Sequence, residues 1–112
     1  MEASTKRRVL LGIGKVKGED GLFSFKALGL SLGLSKARIS VLLSEMFASG
    51  DCLRLSGRDG ALSEKGEAEF SFLRGLEERL QTRLEGIFGK DAKALSQLIV
   101  VNADEKLLGK LG

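Results

Sequence analysis

A short run of hydrogen-bond donors follows Ser35 in a segment with helical periodicity. Lys36 and Arg38 are cationic, Ser40 adds a hydroxyl, and Val41 adds an aliphatic surface. Ammonium, guanidinium and hydroxyl groups donate to phosphate oxygens and to the acceptor atoms of bases, and aliphatic side chains pack on the thymine methyl group. All four lie on the helix face that the apolar residues leave free. These residue types therefore indicate a polyanionic partner.

Serines and glycines around this run predict a sharp bend between two helices. Ser24 and Ser35 stand where a side-chain oxygen accepts from the first N–H groups of a helix. Gly33 suits the left-handed conformation at the bend, and Gly29 provides a small residue where the helices cross. With Leu34 sealing the turn, the pattern is typical of a helix-turn-helix.

The second helix and the segment after it complete the pattern. The helix is strongly amphipathic, with an apolar face formed by Ile39, Leu42, Leu43, Met46 and Phe47. Residues 52–63 begin with a run of alternating apolar and polar residues, followed by the turn "GRDG" and a second short apolar run, which predicts a β-hairpin. We expect Arg54 to point outward from its first strand and contact phosphate. Arg58, at the tip, is expected to enter a minor groove or to contact phosphate. The predicted DNA-binding residues are Ser24, Ser35, Lys36, Arg38, Ser40, Val41, Arg54 and Arg58.

The rest of the chain is expected to be helical. Apolar spacing predicts a first helix over 3–17, a long helix over 64–88, a fifth helix with Asp91 as its N-cap, and a last short helix. The fold class is therefore mainly α with a small β-hairpin: a winged helix-turn-helix with C-terminal dimerisation helices. We expect one domain over 1–112, with a DNA-binding core at 1–66 and C-terminal helices at 67–112.

The apolar stripe of the C-terminal helices exceeds what a winged helix needs to cover itself. One interpretation is a two-fold dimer interface, since one recognition helix reads only a few base pairs. The other is that the long helix folds back as core within a monomer. The predicted interface residues are Leu73, Leu76, Leu80, Leu84, Ile87 and Leu98.

Composition narrows the function classes. Residues 1–62 carry ten Lys/Arg and six Asp/Glu, a net charge of +4, whereas residues 63–112 carry eight and nine, a net charge of −1. This asymmetry favours a polyanion-binding first half. Histidine is absent and the one cysteine is Cys52, so the common metal-ligand sets and the serine–histidine triad are missing. Since no phosphate-binding glycine motif is present either, we expect no enzymatic activity, no cofactor and no metal.

The run from Phe23 to Gly66 resembles the winged helix-turn-helix of MarR-type transcriptional regulators. The order of helix, turn, recognition helix and wing matches, and "LSEKG" (62–66), leading into a long helix, is the most family-specific part. The resemblance implies a repressor that acts as a homodimer on a pseudo-palindromic site in double-stranded DNA. The chain departs from the family in the wing, where Arg58 precedes Asp59 in a short turn, and in its shorter length. A small-molecule effector is therefore possible but not indicated.

The sequence is also compatible with several other functions. A winged helix can instead be a protein–protein interaction module without DNA binding, here through Leu30 and Val41. Cys52 could sense peroxide, as cysteines do in some relatives of the family, although a buried structural thiol is the stronger expectation. The basic run 6–8 either adds non-specific affinity or only solubilises the first helix. No apolar stretch reaches a membrane-spanning length, so we expect no membrane partner and a cytoplasmic location.

Overall fold

The computed structural model describes residues 1–111, and the chain is mainly helical with a small three-stranded antiparallel sheet. The helices are α1 (Ala3–Val16), α2 (Phe25–Leu32), α3 (Lys36–Ala48), α4 (Glu64–Phe88), α5 (Ala92–Asn102) and α6 (Glu105–Leu111). The strands are β1 (Leu22–Ser24), β2 (Cys52–Arg54) and β3 (Asp59–Leu62). This element content is compatible with a winged helix.

Both predicted serine caps of the helix pair are present. Ser24 Oγ accepts from the Ala27 N–H at 3.2 Å, and Ser35 Oγ accepts from the Arg38 N–H at 3.1 Å. Each serine is in extended conformation while the next residue is helical. The caps therefore fix where α2 and α3 begin, as local sequence predicts.

The turn between α2 and α3 bends the chain by 112°. Gly33 ends α2 in the left-handed conformation, with φ of +67°. Gly29 lies at the crossing, where an added Cβ would be 3.2 Å from Ile39 Cγ1. Both glycines thus have the roles expected from the sequence.

The sheet contains the predicted hairpin and one strand that the sequence did not reveal. Its order is β1-β3-β2, with β3 pairing antiparallel to both neighbours. β1 has three residues, too few to show an alternating pattern, and its partner lies about forty residues later in the chain. Local reasoning therefore identified β2 and β3 only.

The long helix α4 has the predicted bounds, but half of its assigned interface residues belong to the core of the single chain. Leu73, Leu76 and Leu80 are 2%, 0% and 8% exposed, because α4 packs against α1 and α5. Assigning these three to a dimer contact was wrong. The other interpretation, core within one chain, describes this part of α4.

The remaining three interface residues are available at the surface. Leu84 is half-buried, whereas Ile87 and Leu98 are 75% and 59% exposed. Asp91 is the N-cap residue of α5, as predicted, but its side chain makes no capping hydrogen bond. It ends a 3₁₀ turn, Gly89–Asp91, that links α4 to α5.

One of the three basic residues near the N-terminus is buried rather than available to a partner. Arg7 is 4% exposed and donates to the carbonyls of Val100, Val101 and Ala103 at the end of α5. Its second nitrogen pairs with Glu105 at 3.3 Å. Arg7 therefore connects α1 to α5 and α6, and only its neighbour in α1, Arg8, is free to serve solubility or affinity.

Within residues 1–111, no single helix is long and apolar enough to cross a membrane. Only α2 and α3 taken together reach the required apolar length, and the sharp bend divides them.

Candidate nucleic-acid interface

An open cleft of about 860 Å³ lies between α2, the start of α3 and the wing formed by residues 52–62. Its floor is apolar and its rim is polar. The lining residues are Ser24, Phe25, Lys26, Gly29, Leu30, Leu34, Lys36, Ile39, Ser40, Leu43, Arg54, Gly57 and Arg58. Five of the eight predicted DNA-binding residues thus meet around one cavity.

The charge of this cleft has one sign. Lys26, Lys36, Arg54 and Arg58 line it, and none of the residues that the structure places around it is acidic. Because several positive charges close together attract anions, such a surface favours a polyanion. Lys26 was missed by sequence reasoning. Its position two residues after the capping Ser24 was the available signal, since it places this cation in the exposed first turn of α2.

The exposed face of α3 continues from the cleft onto the outer surface. At about 100° per residue, Lys36 and Ser40 lie at the edge next to the cleft, and Arg38 lies roughly 200° away from Lys36. Val41, which is 51% exposed, lies between these edges. The predicted residues of α3 therefore span one broad surface with a cation at each border.

Arg58 lies at the tip of the wing, where hydrogen bonds order the backbone. Ser56 Oγ accepts from the N–H groups of both Arg58 and Asp59 at 3.1 Å. The Arg58 carbonyl accepts from the Phe25 N–H at 3.0 Å. The Arg58 side chain is exposed, so the structure leaves it available to a partner while its backbone is tied to the start of α2.

Arg54 is exposed, as the sequence predicts, but its side chain also lies on aromatic rings that the sequence did not indicate. In β2, Cys52 is buried and Leu53 is exposed, so the period of two places Arg54 on the same side of the sheet as Cys52. Its guanidinium carbon lies 4.6 Å from the ring centroid of Phe47 and 5.6 Å from that of Phe25. Arg54 therefore forms the cationic end of an aromatic cluster.

The base of the wing is held by a buried carboxylate. Asp51 is fully buried and accepts from Ser49 Oγ, and its carboxylate lies 3.2 Å from Lys6 Nζ and 3.7 Å from Lys65 Nζ. Burial alone would raise the pKa of Asp51, but the hydrogen bonds from Ser49 and Lys6 and the two lysine charges outweigh it, so the pKa lies below its ordinary value. The ionised carboxylate joins α1, the wing and α4.

The "LSEKG" segment packs against the backbone of Gly50 and Asp51, next to the buried carboxylate. Ser63 Oγ accepts from the Gly66 N–H at 3.1 Å, capping α4, and donates to the Gly50 carbonyl at 2.5 Å. Gly66 packs so closely that an added Cβ would lie 2.0 Å from the Asp51 carbonyl oxygen. The motif therefore attaches the start of α4 to the chain that leaves α3.

Cys52 is buried beneath the wing, as expected for a structural thiol. Burial, together with the neighbouring Asp51 carboxylate, raises the pKa of the thiol to about 12. Since the thiolate is the reactive form, Cys52 is unreactive near neutral pH. This argues against the peroxide-sensing alternative.

Comparisons with known proteins give no match, neither to a family model nor to a curated protein.

Proposed function

We propose that this protein is a double-stranded DNA-binding transcriptional regulator with a winged helix-turn-helix fold, similar to MarR-type regulators. In this proposal α3 is the recognition helix and the hairpin 52–62 is the wing. The observation that carries it is the cleft between them, which four cationic side chains line without a carboxylate. A surface of this kind neutralises phosphates and releases their counter-ions, which is the main source of DNA affinity.

The geometry of α2 and α3 supports the same proposal. Their 112° bend falls within the range of about 90–120° for helix-turn-helix pairs. The N-terminal half of α3, with Lys36, Arg38 and Ser40, is exposed, and recognition helices direct this half toward base edges. Arg38 is assigned to guanine, Val41 to a thymine methyl group, and Lys36 to phosphate.

We further propose that the protein acts as a homodimer and represses by occupying its site. A single α3 contacts only a few base pairs, whereas two copies related by a two-fold axis read an inverted repeat with half-sites about one helical turn apart. Exposed apolar residues Ile87 and Leu98 supply a surface for the second copy. Such a regulator would act in the cytoplasm.

The experiment that tests this function selects bound sequences from a random double-stranded DNA pool. We expect an enriched inverted repeat, and affinity that falls steeply with salt. Arg38→Ala should weaken binding to the selected site by about 1–3 kcal/mol and relax the preference at one base position. Lys106→Ala, which removes an exposed cation on α6, is the matched control and should bind like the wild type.

The competing function is a protein-interaction module, which the exposure of two apolar side chains favours. Leu30 is 75% exposed beside the cleft, and Val41 is exposed on α3. If no sequence is enriched and Arg38→Ala changes nothing, the DNA proposal is refuted. A salt-insensitive protein complex lost on Leu30→Glu would then support the module.

A further inference from the structure

We propose that Arg54 is a positioning residue of this interface. Its guanidinium, held on the rings of Phe47 and Phe25, sets the angle between wing and recognition helix so that Arg58 reaches the DNA. The inference rests on the proposed function, and it departs from the role of phosphate contact that the sequence assigns to Arg54.

The first support is the set of elements that Arg54 joins. Phe47 lies near the end of α3 and Phe25 begins α2, while Arg54 itself ends β2. The ring centroids of Phe25 and Phe47 are 6.0 Å apart, and those of Phe23 and Phe25 are 5.9 Å apart. A guanidinium over aromatic faces is attracted by the ring quadrupole and stacks through its plane. The contact therefore connects the wing to both helices of the bent pair.

The second support is the place of Arg54 in the sheet. The register pairs Arg54 with Gly60, and Gly60 with Phe23, so the three form one row across the strands. An added Cβ at Gly60 would lie 3.1 Å from Phe25 and 3.2 Å from Phe23. The rings of Phe23 and Phe25 therefore leave no room for a side chain at Gly60. On this face of the sheet, the neighbours of the Arg54 side chain are aromatic rings.

The third support is that Arg54 is the last residue of β2, directly before the wing tip. β2 pairs with β3 through three residues and lies at the sheet edge. Within residues 1–111, β2 therefore has a neighbouring strand on one side only, while β3 is held between β1 and β2. The tip loop 55–58 is closed by hydrogen bonds from the Leu55 and Ser56 N–H groups to the Asp59 carbonyl, and the bond from Phe25 N–H to the Arg58 carbonyl joins it to α2. Losing the ring contact should therefore weaken the attachment of the tip to α2.

Binding to the selected DNA separates positioning from direct contact. Phe47→Leu removes the ring face and no charge, yet under the proposal it weakens binding by roughly fivefold or more, as Arg54→Ala and Arg58→Ala do. The double variant Arg54→Ala/Arg58→Ala should bind no more weakly than either single variant. The slope of log affinity against log salt should fall by about one in the singles and in the double.

The opposite results would overturn the proposal. If Arg54 contacts a phosphate independently, Phe47→Leu binds like the wild type, the two alanine losses multiply, and the slope falls by about two in the double variant. Arg54→Met gives a second measure, because its thioether packs on the rings without charge. Positioning predicts that Arg54→Met binds better than Arg54→Ala, whereas a phosphate contact predicts equal losses.

Amide hydrogen exchange of the free protein tests the positioning without DNA. The Phe25 amide bonds the wing tip, and the Leu34 amide bonds the Gly29 carbonyl at 2.9 Å in the turn. In Arg54→Ala and Phe47→Leu, Phe25 should lose protection at least tenfold more than Leu34. Unchanged Phe25 protection overturns the proposal whether or not DNA binds. Lost protection in a protein that binds no DNA supports the positioning role and refutes the proposed function.

Discussion

Gly66 has no side chain, and this allows α4 to pack closely against the base of the wing. The Cβ of an alanine would lie 2.0 Å from the Asp51 carbonyl oxygen, and a backbone atom cannot move aside cheaply. We expect Gly66→Ala to lower the free energy of unfolding by about 3 kcal/mol, measured by urea denaturation. The clash outweighs the helix propensity of alanine, which is worth about 1 kcal/mol.

Gly86 is the matched control on the same helix. It is exposed, and no atom lies within 4 Å of its added Cβ. Gly86→Ala should therefore raise the free energy of unfolding by roughly 0.5–1 kcal/mol. If the two variants change stability by equal amounts, the close packing of Gly66 is not what requires a glycine there.

Single residues were predictable where the signal is local. Ser24 and Ser35 cap helices because their oxygens reach N–H groups three residues on, and neighbouring letters contain that information. The environments of Arg54 and Arg7 depend on partners in distant elements. Arg54 is exposed, as alternation suggested, but its contacts with the rings of Phe25 and Phe47 depend on where α2 and α3 lie and cannot be read from neighbouring letters.

At the scale of elements, Arg7 closes the C-terminal end of α5. Its guanidinium donates to three carbonyls that the helix leaves without N–H partners. Arg7→Met keeps the volume and leaves these buried acceptors unpaired, so we expect a loss of about 2–3 kcal/mol in the free energy of unfolding. Arg8→Met, at the exposed neighbouring position, should change it by less than about 0.5 kcal/mol.

Amide hydrogen exchange shows which part of the chain Arg7 stabilises. Amides of α6 should lose protection first in Arg7→Met, because Arg7 also pairs with Glu105. Uniform loss over all helices would instead mean that Arg7 stabilises the whole core rather than this junction.

The junction of α1, wing and α4 should depend on pH through Asp51. A carboxyl whose pKa is lowered by folding stabilises the native state above its unfolded pKa of about 3.9, and this contribution disappears as the pH falls through the folded pKa. Asp51→Asn should therefore cost about 1–3 kcal/mol at pH 7 and flatten the acid limb of stability against pH. Denaturation at several pH values from 7 to 2 measures both effects.

Two comparisons make the pH prediction specific. Asp91→Asn changes an exposed carboxyl without a side-chain cap bond and should leave the curve nearly unchanged. On the alkaline side, Asp51 and Glu69 raise the pKa of Lys6 by hydrogen bonds and charge, against the lowering effect of its burial. The Lys6 contribution is therefore present below its unfolded pKa of about 10.4 and disappears as the pH rises through the folded value. An Asp51→Asn curve parallel to the wild type from pH 7 to 2 would contradict the assignment.

Elements with strong periodicity or clear caps were predicted well. The bounds 64–88 of α4 followed from its apolar stripe, and the structure confirms them. β1 was not predicted because it has three residues and its strand partner, β3, lies about forty residues later in the chain. The sequence also did not show what packs against the apolar face of α4. An amphipathic pattern indicates that this face is buried, but not whether α1 and α5 or a second chain buries it.

For the whole molecule, α4 connects two regions with different exposed chemistry. From Gly66 at the wing base to Ile87, its axis spans about 30 Å at 1.5 Å per residue, along a molecule with a longest extent of 44 Å. The cationic cleft lies at the wing, and exposed Ile87 lies far along the helix from it. In the proposed dimer, a second copy joined at Ile87 would leave both clefts open to DNA.

The dimer can be tested at the residues that α1 and α5 leave uncovered. We expect the wild type to sediment as a dimer at micromolar concentration, and Ile87→Glu/Leu98→Glu to sediment as a monomer, because a buried carboxylate at an apolar contact is costly. Leu53→Glu, on the outer face of the sheet, is the control and should remain dimeric. The monomeric variant should keep its unfolding free energy per chain, since both side chains are exposed, and should bind the inverted repeat far more weakly than the wild type. A monomeric wild type would refute the dimer, and a dimer that survives both glutamates would place the contact on another surface.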